Sequence, residues 1–451
     1  MPSRRTEDLQ VLRGEADFLD TVRGLSRRGF LTATGLSTLA AMGAGAVAGC
    51  DRTTSATPGQ LPEPYGTQPL TTTPVVVKEE GASLKEYPDI YVAGSEPLGA
   101  DEMRITALGT GYPARRGQGC AGFMVELGND EVFLFDAGAG TNSAFNHMRV
   151  PYHKANKFFI THYHIDHIAD LMVYYDFGQS NGRLEPMNVF GPTGELPELG
   201  INALVENMLR MTAWHDRSKK GQVDLRGFDV VAHEFAFQRP QVVYDGKGAK
   251  VTSFPVPHGI DGAVGYRLDW NGLSMVFAGD CEPSTLTVEH SQDVDVLIHE
   301  IFNPPEMYVE EMGWTEQMAK IVAWTKHTSP QAAAKVFEST RPRLAVGFHS
   351  MIAPGTPQPI LDGIRTGYDG PVLITQDFTV INVTPQQIVT RMAAFEPAPF
   401  LVSDPAYIAS KGGANQDPSV MHGLSPWLEE TIIGIPEIEA FKKELAEKGM
   451  R

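Results

Sequence analysis

From Met103 onward, apolar residues recur in short runs that break on glycine, proline or a polar cluster, the pattern of buried strands joined by tight turns. "MRITALGTG" and "FMVELGNDEVFLFDAG" predict strands, with Asn129-Asp130 marking a hairpin. "KFFITH" predicts a short buried strand, and "HIADLMVYY" directly after it has helical apolar spacing. Further strands are predicted at "AKVTSFPV", "VGYRLDW", "LSMVFAGD", "VDVLIHE" and "LAVGFHS". "TSPQAAAKVFEST" predicts a helix with a Thr/Ser cap and Pro330 in its first turn. Near the end, "PEIEAFKKELAEKG" puts Ile438, Phe441 and Leu445 on one helical face, with Gly449 as a stop. There is no internal repeat. Two groups of strands with helices between them predict a layered α/β domain.

What these strands end in changes the picture. "FFITH" stops at His162, "SFPVPH" at His258, "SMVFAGD" at Asp280 and "AVGFH" at His349. Ends of neighbouring strands converge, so ligands far apart in sequence can meet at one edge. The stretch "THYHIDH" adds His164, Asp166 and His167 behind His162. In an extended turn His162 and His164 can point the same way, while Asp166 and His167 open the following helix. Imidazole and carboxylate are the donors zinc prefers, so the set predicts a metal site and not a polar loop.

Composition narrows the class. The chain has 451 residues, 42% hydrophobic and 20% charged, as expected of a globular protein with ample length for a core. Its formal net charge of −18 and the lack of a Lys/Arg stripe argue against a nucleic-acid partner. Paired arginines in "SRRGFLT" precede the weakly hydrophobic run ending at Cys50, which predicts a twin-arginine export signal over residues 1–50. The twin-arginine translocase would then be a partner, and the periplasm or the outer face of the cytoplasmic membrane the destination. "VAGC" resembles a lipobox, so Cys50 is expected to carry a lipid that tethers the protein to a membrane surface; an ordinary cleavage region is the alternative. Residues 51–100, rich in Pro, Thr and Gly, read as a tether. A catalytic domain over 101–390 and an extension over 391–451 follow. Cys120 and Cys281 are the remaining cysteines, and a disulfide between them stays open.

These motifs together resemble the metallo-β-lactamase superfamily, in particular its branch holding tRNase Z and the periplasmic zinc arylsulfatases. The resemblance runs from "LGTGYP" and "FLFDAGAGT" through "THYHIDH", "FPVPHGIDGAVGYRL" and "FAGDCEPS" to "GFHS". It implies a four-layer αββα sandwich with the site along one edge. It also implies one zinc ion on His162, His164 and His258 and a second on Asp166, His167 and His349, with Asp280 bridging them. Manganese or iron in one position stays open, because Cys281 stands where the family often has threonine. Asp136 is expected to support the ligands.

Two such ions would bring a shared water toward neutrality and polarise the scissile group. Besides Asp166, the candidate catalytic residues are His299 and His327. "VDVLIHEIF" offers His299 and Glu300 and resembles the family's "HEAT" element, so His299 is expected to order the site or act as acid. His327, just before a helix N-terminus, is expected to contact substrate. His215 and His233 have no settled role. The preferred expectation is an exported hydrolase of small anionic sulfate or phosphate esters, with a tRNA 3′-end nuclease or a lactonase as alternatives. No oligomeric state is implied.

Overall fold

The computed structural model describes residues 76–79, 81, 83–113, 117–395 and 402–448. The predicted export signal, Cys50 and the tether up to residue 75 lie outside these residues. Among the described residues, no helix is long and apolar enough to cross a membrane.

The strands in chain order are β1 (Val76–Lys78), β2 (Ile90–Val92), β3 (Met103–Gly109), β4 (Gly122–Leu127), β5 (Val132–Phe135), β6 (Lys157–Phe159), β7 (Met187–Pro192) and β8 (Val230–Phe235). They continue with β9 (Gln241–Gly246), β10 (Ala249–Pro255), β11 (Val264–Trp270), β12 (Leu273–Phe277), β13 (Val296–Glu300), β14 (Leu344–Phe348), β15 (Val372–Ile374), β16 (Thr379–Val383) and β17 (Gln387–Ala394). One sheet runs β1-β17-β16-β3-β4-β5-β6-β7-β8, with β2 also on β17; the other runs β15-β14-β13-β12-β11-β10-β9. The predicted hairpin joins β4 to β5, and Asp130 takes the left-handed conformation there.

The two sheets face each other. Phe123 on the first lies 5.4 Å from Phe277 and 5.5 Å from Phe348 on the second, ring centre to ring centre. Helices cover both outer faces. Phe145, Tyr174 and Ile201 pack on the first sheet, and Ala333, Phe337 and Ile360 on the second. This is the expected αββα arrangement. Along β13 the alternation is explicit: Val296 and Ile298 enter the core between the sheets, while Leu297 joins the layer under the helices. With both faces covered, such strands read as continuous apolar runs.

Two boundaries are corrected. The expected tether does not extend to residue 100, since β1 pairs antiparallel and β2 parallel with β17, and Tyr91 is buried. The expected boundary at 390/391 falls inside β17, which runs on to Ala394 because its register with β2 reaches Ala394↔Val92. Cys120 and Cys281 are both buried and free, so no disulfide joins them.

Candidate metal centre

The predicted ligands arrive at one edge because the strands that carry them are neighbours. His162 and His164 lie in the loop after β6, Asp166 and His167 in the short helix Ile165–Ile168, and His258 follows β10. Asp280 follows β12 and His349 follows β14. Two of these turns are backbone-specific. Gly279 has φ +64°, and a Cβ there would sit 2.8 Å from Cβ of Thr161, so only glycine lets Asp280 close on the first cluster. His349 itself has φ 63°, a strained conformation that swings its ring into the site.

The donors form two groups that share Asp280, each with its ligand atoms within 4.8 Å of one another: His162, His164, His258 and Asp280, then Asp166, His167, Asp280 and His349. In the first, Nδ1 of His164 is 3.0 Å from Nε2 of His162 and 3.2 Å from Nε2 of His258. In the second, Nε2 of His349 is 3.0 Å from Oδ2 of Asp280 and 3.2 Å from Oδ2 of Asp166. Nε2 of His167 lies 3.3 Å from Oδ1 of Asp280, and both atoms are buried without a hydrogen-bond partner. Buried polar atoms without partners are costly unless something absent from the protein satisfies them. Ring nitrogens facing each other, with Asp280 between the groups, therefore fit two divalent cations.

Two of the other ring nitrogens are committed elsewhere, which fixes what those rings turn to the centre. Nδ1 of His258 donates to the carbonyl of Lys326 at 2.8 Å, and Nδ1 of His167 donates to Asp136 at 2.7 Å. Asp136 also accepts from the amide and the hydroxyl of Thr161, the residue before His162. It therefore holds a member of each group, as expected of a supporting carboxylate. Asp136→Asn should weaken metal affinity by about 10- to 100-fold with the fold intact, measured by competition with a chelating dye.

Charge follows geometry. Burial holds His162 well below its ordinary pKa, lowers His164 and pushes His258 down to about 4, so these rings keep lone pairs at neutral pH. Burial works the same way on His167, but Asp280 and Asp136 outweigh it and raise its pKa. Burial would raise Asp166 and Asp280, yet the neighbouring histidines hold both carboxyls down. Ionised carboxylates in a buried site call for cations, here a protonated His167 or a metal ion in place of that proton.

The expectation for His299 is corrected. Side chains on β13 alternate, so His299 shares the helix-facing side with Leu297. It is fully buried, its Nδ1 donates to the Glu300 carbonyl at 2.8 Å, and Nε2 faces the Cys281 thiol at 3.6 Å. The adjacent Glu300 points to the site instead. Its carboxylate accepts from the amide of Cys281 at 2.6 Å and lies 2.8 Å from Nδ1 of His327. Burial and the charge of Asp280 raise the Glu300 carboxyl well above its usual range. His327 stacks on Phe302, 4.1 Å between centres at 9°, and burial lowers its pKa. His258, Asp280, Glu300 and His327 make a third donor group, but the bond between Glu300 and His327 commits them to each other. Two other histidines stand apart: His233 bonds Asn188 and stacks on Phe190, and His215 pairs with Asp176. Cys281 has a pKa raised well above normal by burial, which excludes a reactive thiolate.

Burial pushes His299 down to about 4, against 6.5 when unfolded, which makes a pH prediction. Between these values the unfolded chain binds the proton and the folded chain does not, so stability is complete above pH 6.5 and is lost as pH falls toward 4. His299→Gln should remove about 2 kcal/mol of the stability difference between pH 7 and pH 5, read from urea midpoints.

Residues 131–350 match the Beta-lactamase superfamily domain. Ribonuclease Z of Methanococcus aeolicus is 32% identical over 161 residues, 35% of this chain and 44% of that protein. The chain thus spans less than half the length of that relative. Ribonuclease Z of Picrophilus torridus is 28% identical over 231 residues, 45% of this chain and 74% of that one. Among solved structures, the short form of human tRNase Z superposes with a TM-score of 0.47 at 22% identity, covering 62% of this chain and 99% of that one.

Proposed function

We propose that this chain, whose residues 131–350 match the Beta-lactamase superfamily domain and whose fold is the metallo-β-lactamase sandwich, is a metal-dependent phosphodiesterase. The observation that carries the reading is the Glu300–His327 pair, bonded at 2.8 Å, with Nδ1 of His327 3.9 Å from Asp280. Hydrolysis of a diester expels an alkoxide, a poor leaving group unless a proton reaches it. Glu300 holds His327 through Nδ1, which leaves Nε2 without a protein partner among the described residues and free to meet the departing oxygen. The raised pKa of Glu300 lets it share the proton at that bond.

The residues that would hold metal are His162, His164 and His258 on one side, Asp166, His167 and His349 on the other, and Asp280 between. Divalent ions bound there supply Lewis-acid charge neutralisation and lower the pKa of water toward neutrality. The protein's own part is orientation: Asp136 sets His167 and the His162 turn, and the Lys326 carbonyl sets His258.

That the relatives are named ribonuclease Z supports phosphodiester chemistry over the sulfate-ester expectation. One observation favours a second reading, a small ester as substrate. Between the signature and His258, residues 168–257 hold eleven acidic against nine basic residues, not the basic arm that grips RNA. The test is a panel on the zinc-loaded protein: bis(4-nitrophenyl) phosphate, 4-nitrophenyl phosphate, 4-nitrophenyl sulfate, a lactone and precursor tRNA. The diester, with or without the tRNA, should exceed the sulfate at least about tenfold in kcat/KM. A preference for the sulfate overturns the reading.

A further inference from the structure

Tyrosines buried in this chain ordinarily commit their hydroxyl to the protein. Tyr266 donates to the Ile160 carbonyl at 2.7 Å, Tyr174 to the Thr141 carbonyl at 2.9 Å and Tyr152 to Asn142 at 3.1 Å. Tyr112 does not. Its side chain is half-buried, and its hydroxyl has no hydrogen-bond partner among the described residues. What that hydroxyl faces is set by where the ring sits.

The ring lies against the second donor group. It stacks on His349, 5.4 Å between centres at 14°, with Phe302 at 6.5 Å. His327 lies 5.4 Å from the same His349 ring at 21°. Two donors without protein partners, Oη of Tyr112 and Nε2 of His327, thus flank one metal ligand. Burial, then the charges of Asp166 and Asp280, raise the Tyr112 pKa, so its hydroxyl stands within reach of both carboxylates of that group.

The backbone holds the ring there from both sides of His349. The His349 amide donates to the Thr110 carbonyl at 2.8 Å, and the Thr110 hydroxyl donates to Asp377 at 2.9 Å. Across the loop, the Gly111 amide donates to the Gly119 carbonyl at 2.8 Å. Gln118 ties the loop to the residues after His349. Its side-chain nitrogen donates to the Ser350 carbonyl at 2.8 Å, and its oxygen accepts from the Ile352 amide at 3.1 Å. One bonded frame therefore sets Tyr112 and His349 together, and an oxygen bound at the second donor group would meet the hydroxyl at a fixed place.

We propose that Tyr112 is a further catalytic residue, whose hydroxyl donates to a non-bridging oxygen of the phosphoryl group while His327 serves the leaving oxygen. The inference rests on the phosphodiesterase reading. Charge on the non-bridging oxygens grows as the attacking oxygen adds, and a donor fixed beforehand stabilises it without rearrangement.

The test compares Tyr112→Phe with the wild type, since phenylalanine keeps a ring on His349 and removes only the donor. In the zinc-loaded protein kcat/KM should fall about a hundredfold, equally for a diester that expels an alkoxide and for bis(4-nitrophenyl) phosphate. Calorimetric titration with inorganic phosphate should show binding about tenfold weaker, and elemental analysis unchanged metal. Equal turnover and equal phosphate affinity would leave the ring a packing role and overturn the inference, as would phosphate binding absent from both proteins. A loss confined to the alkoxide ester overturns it too, because the hydroxyl would then protonate the leaving group. So does loss of metal from Tyr112→Phe, which would make the residue a support for His349. If the wild type prefers 4-nitrophenyl sulfate, the reading beneath the inference falls, and the phosphate titration still decides what the hydroxyl binds.

Discussion

Asp280→Ala is expected to abolish bound metal and turnover together. Its carboxylate lies within 3.0–4.0 Å of ring nitrogens of His162, His167, His258 and His349, and among the described residues it is the side chain the two donor groups share. Without it, the first group keeps only imidazoles and the second keeps Asp166 as its one carboxylate, too little charge to hold two cations side by side. The loss in kcat should be at least about a thousandfold, equivalent to about 4 kcal/mol of transition-state stabilisation. Elemental analysis should find no stoichiometric metal, and circular dichroism an intact fold. A variant that keeps both ions and full activity would show that the two groups are not joined through this residue.

The second large effect belongs to Glu300. Glu300→Gln keeps the shape and the bond from the Cys281 amide but cannot hold and relay a proton as the carboxyl does. For a diester with an alkoxide leaving group, kcat should fall by roughly 10²- to 10⁴-fold. For one that expels 4-nitrophenolate, which leaves unaided, the change should stay within about tenfold. His327→Asn should show the same split, and the double variant should be little worse than either single one, since the two act as a unit. Metal content should not change in any of them. Equal losses on both substrates would remove the leaving-group role and leave only a structural one.

Much of this centre was legible in the sequence because chemistry and strand ends coincide. His162, His258, Asp280 and His349 each terminate an apolar run, and a run in a covered sheet stops where the chain reaches the sheet edge. The face of β13 was not legible. Val296, Leu297 and Ile298 are all apolar since both sides of the strand are buried, so alternation gave no sign of which side meets the metal ligands. His299 and Glu300 are adjacent and opposite, and the choice between them depends on Asp280 and His349 from neighbouring strands. β1 and β2 escaped notice for another reason. Three residues each are too short for period two to show, and only the pairing with β17 defines them. The helix Pro436–Glu447 shows the reverse case: its stripe was readable, but nothing in the spacing says whether the covering surface belongs to the same chain.

The connection between Glu300 and His327 has a consequence of its own. It is a helical hairpin, Pro305–Met312 and Glu316–Thr325, rooted at one end in the glutamate and at the other in the histidine. From His327 a column of rings climbs through Phe302 and Tyr308 to Trp314, with neighbouring centres 4.1, 4.7 and 5.0 Å apart. A tilt of the hairpin would therefore bear on the imidazole at its foot and, through the Lys326 carbonyl at the end of its second helix, on His258 as well. Variation in the hairpin thus has two routes inward, one by the ring column to His327 and one by a single backbone carbonyl to a donor histidine, so distant changes in sequence reach the centre without altering any residue that lines it.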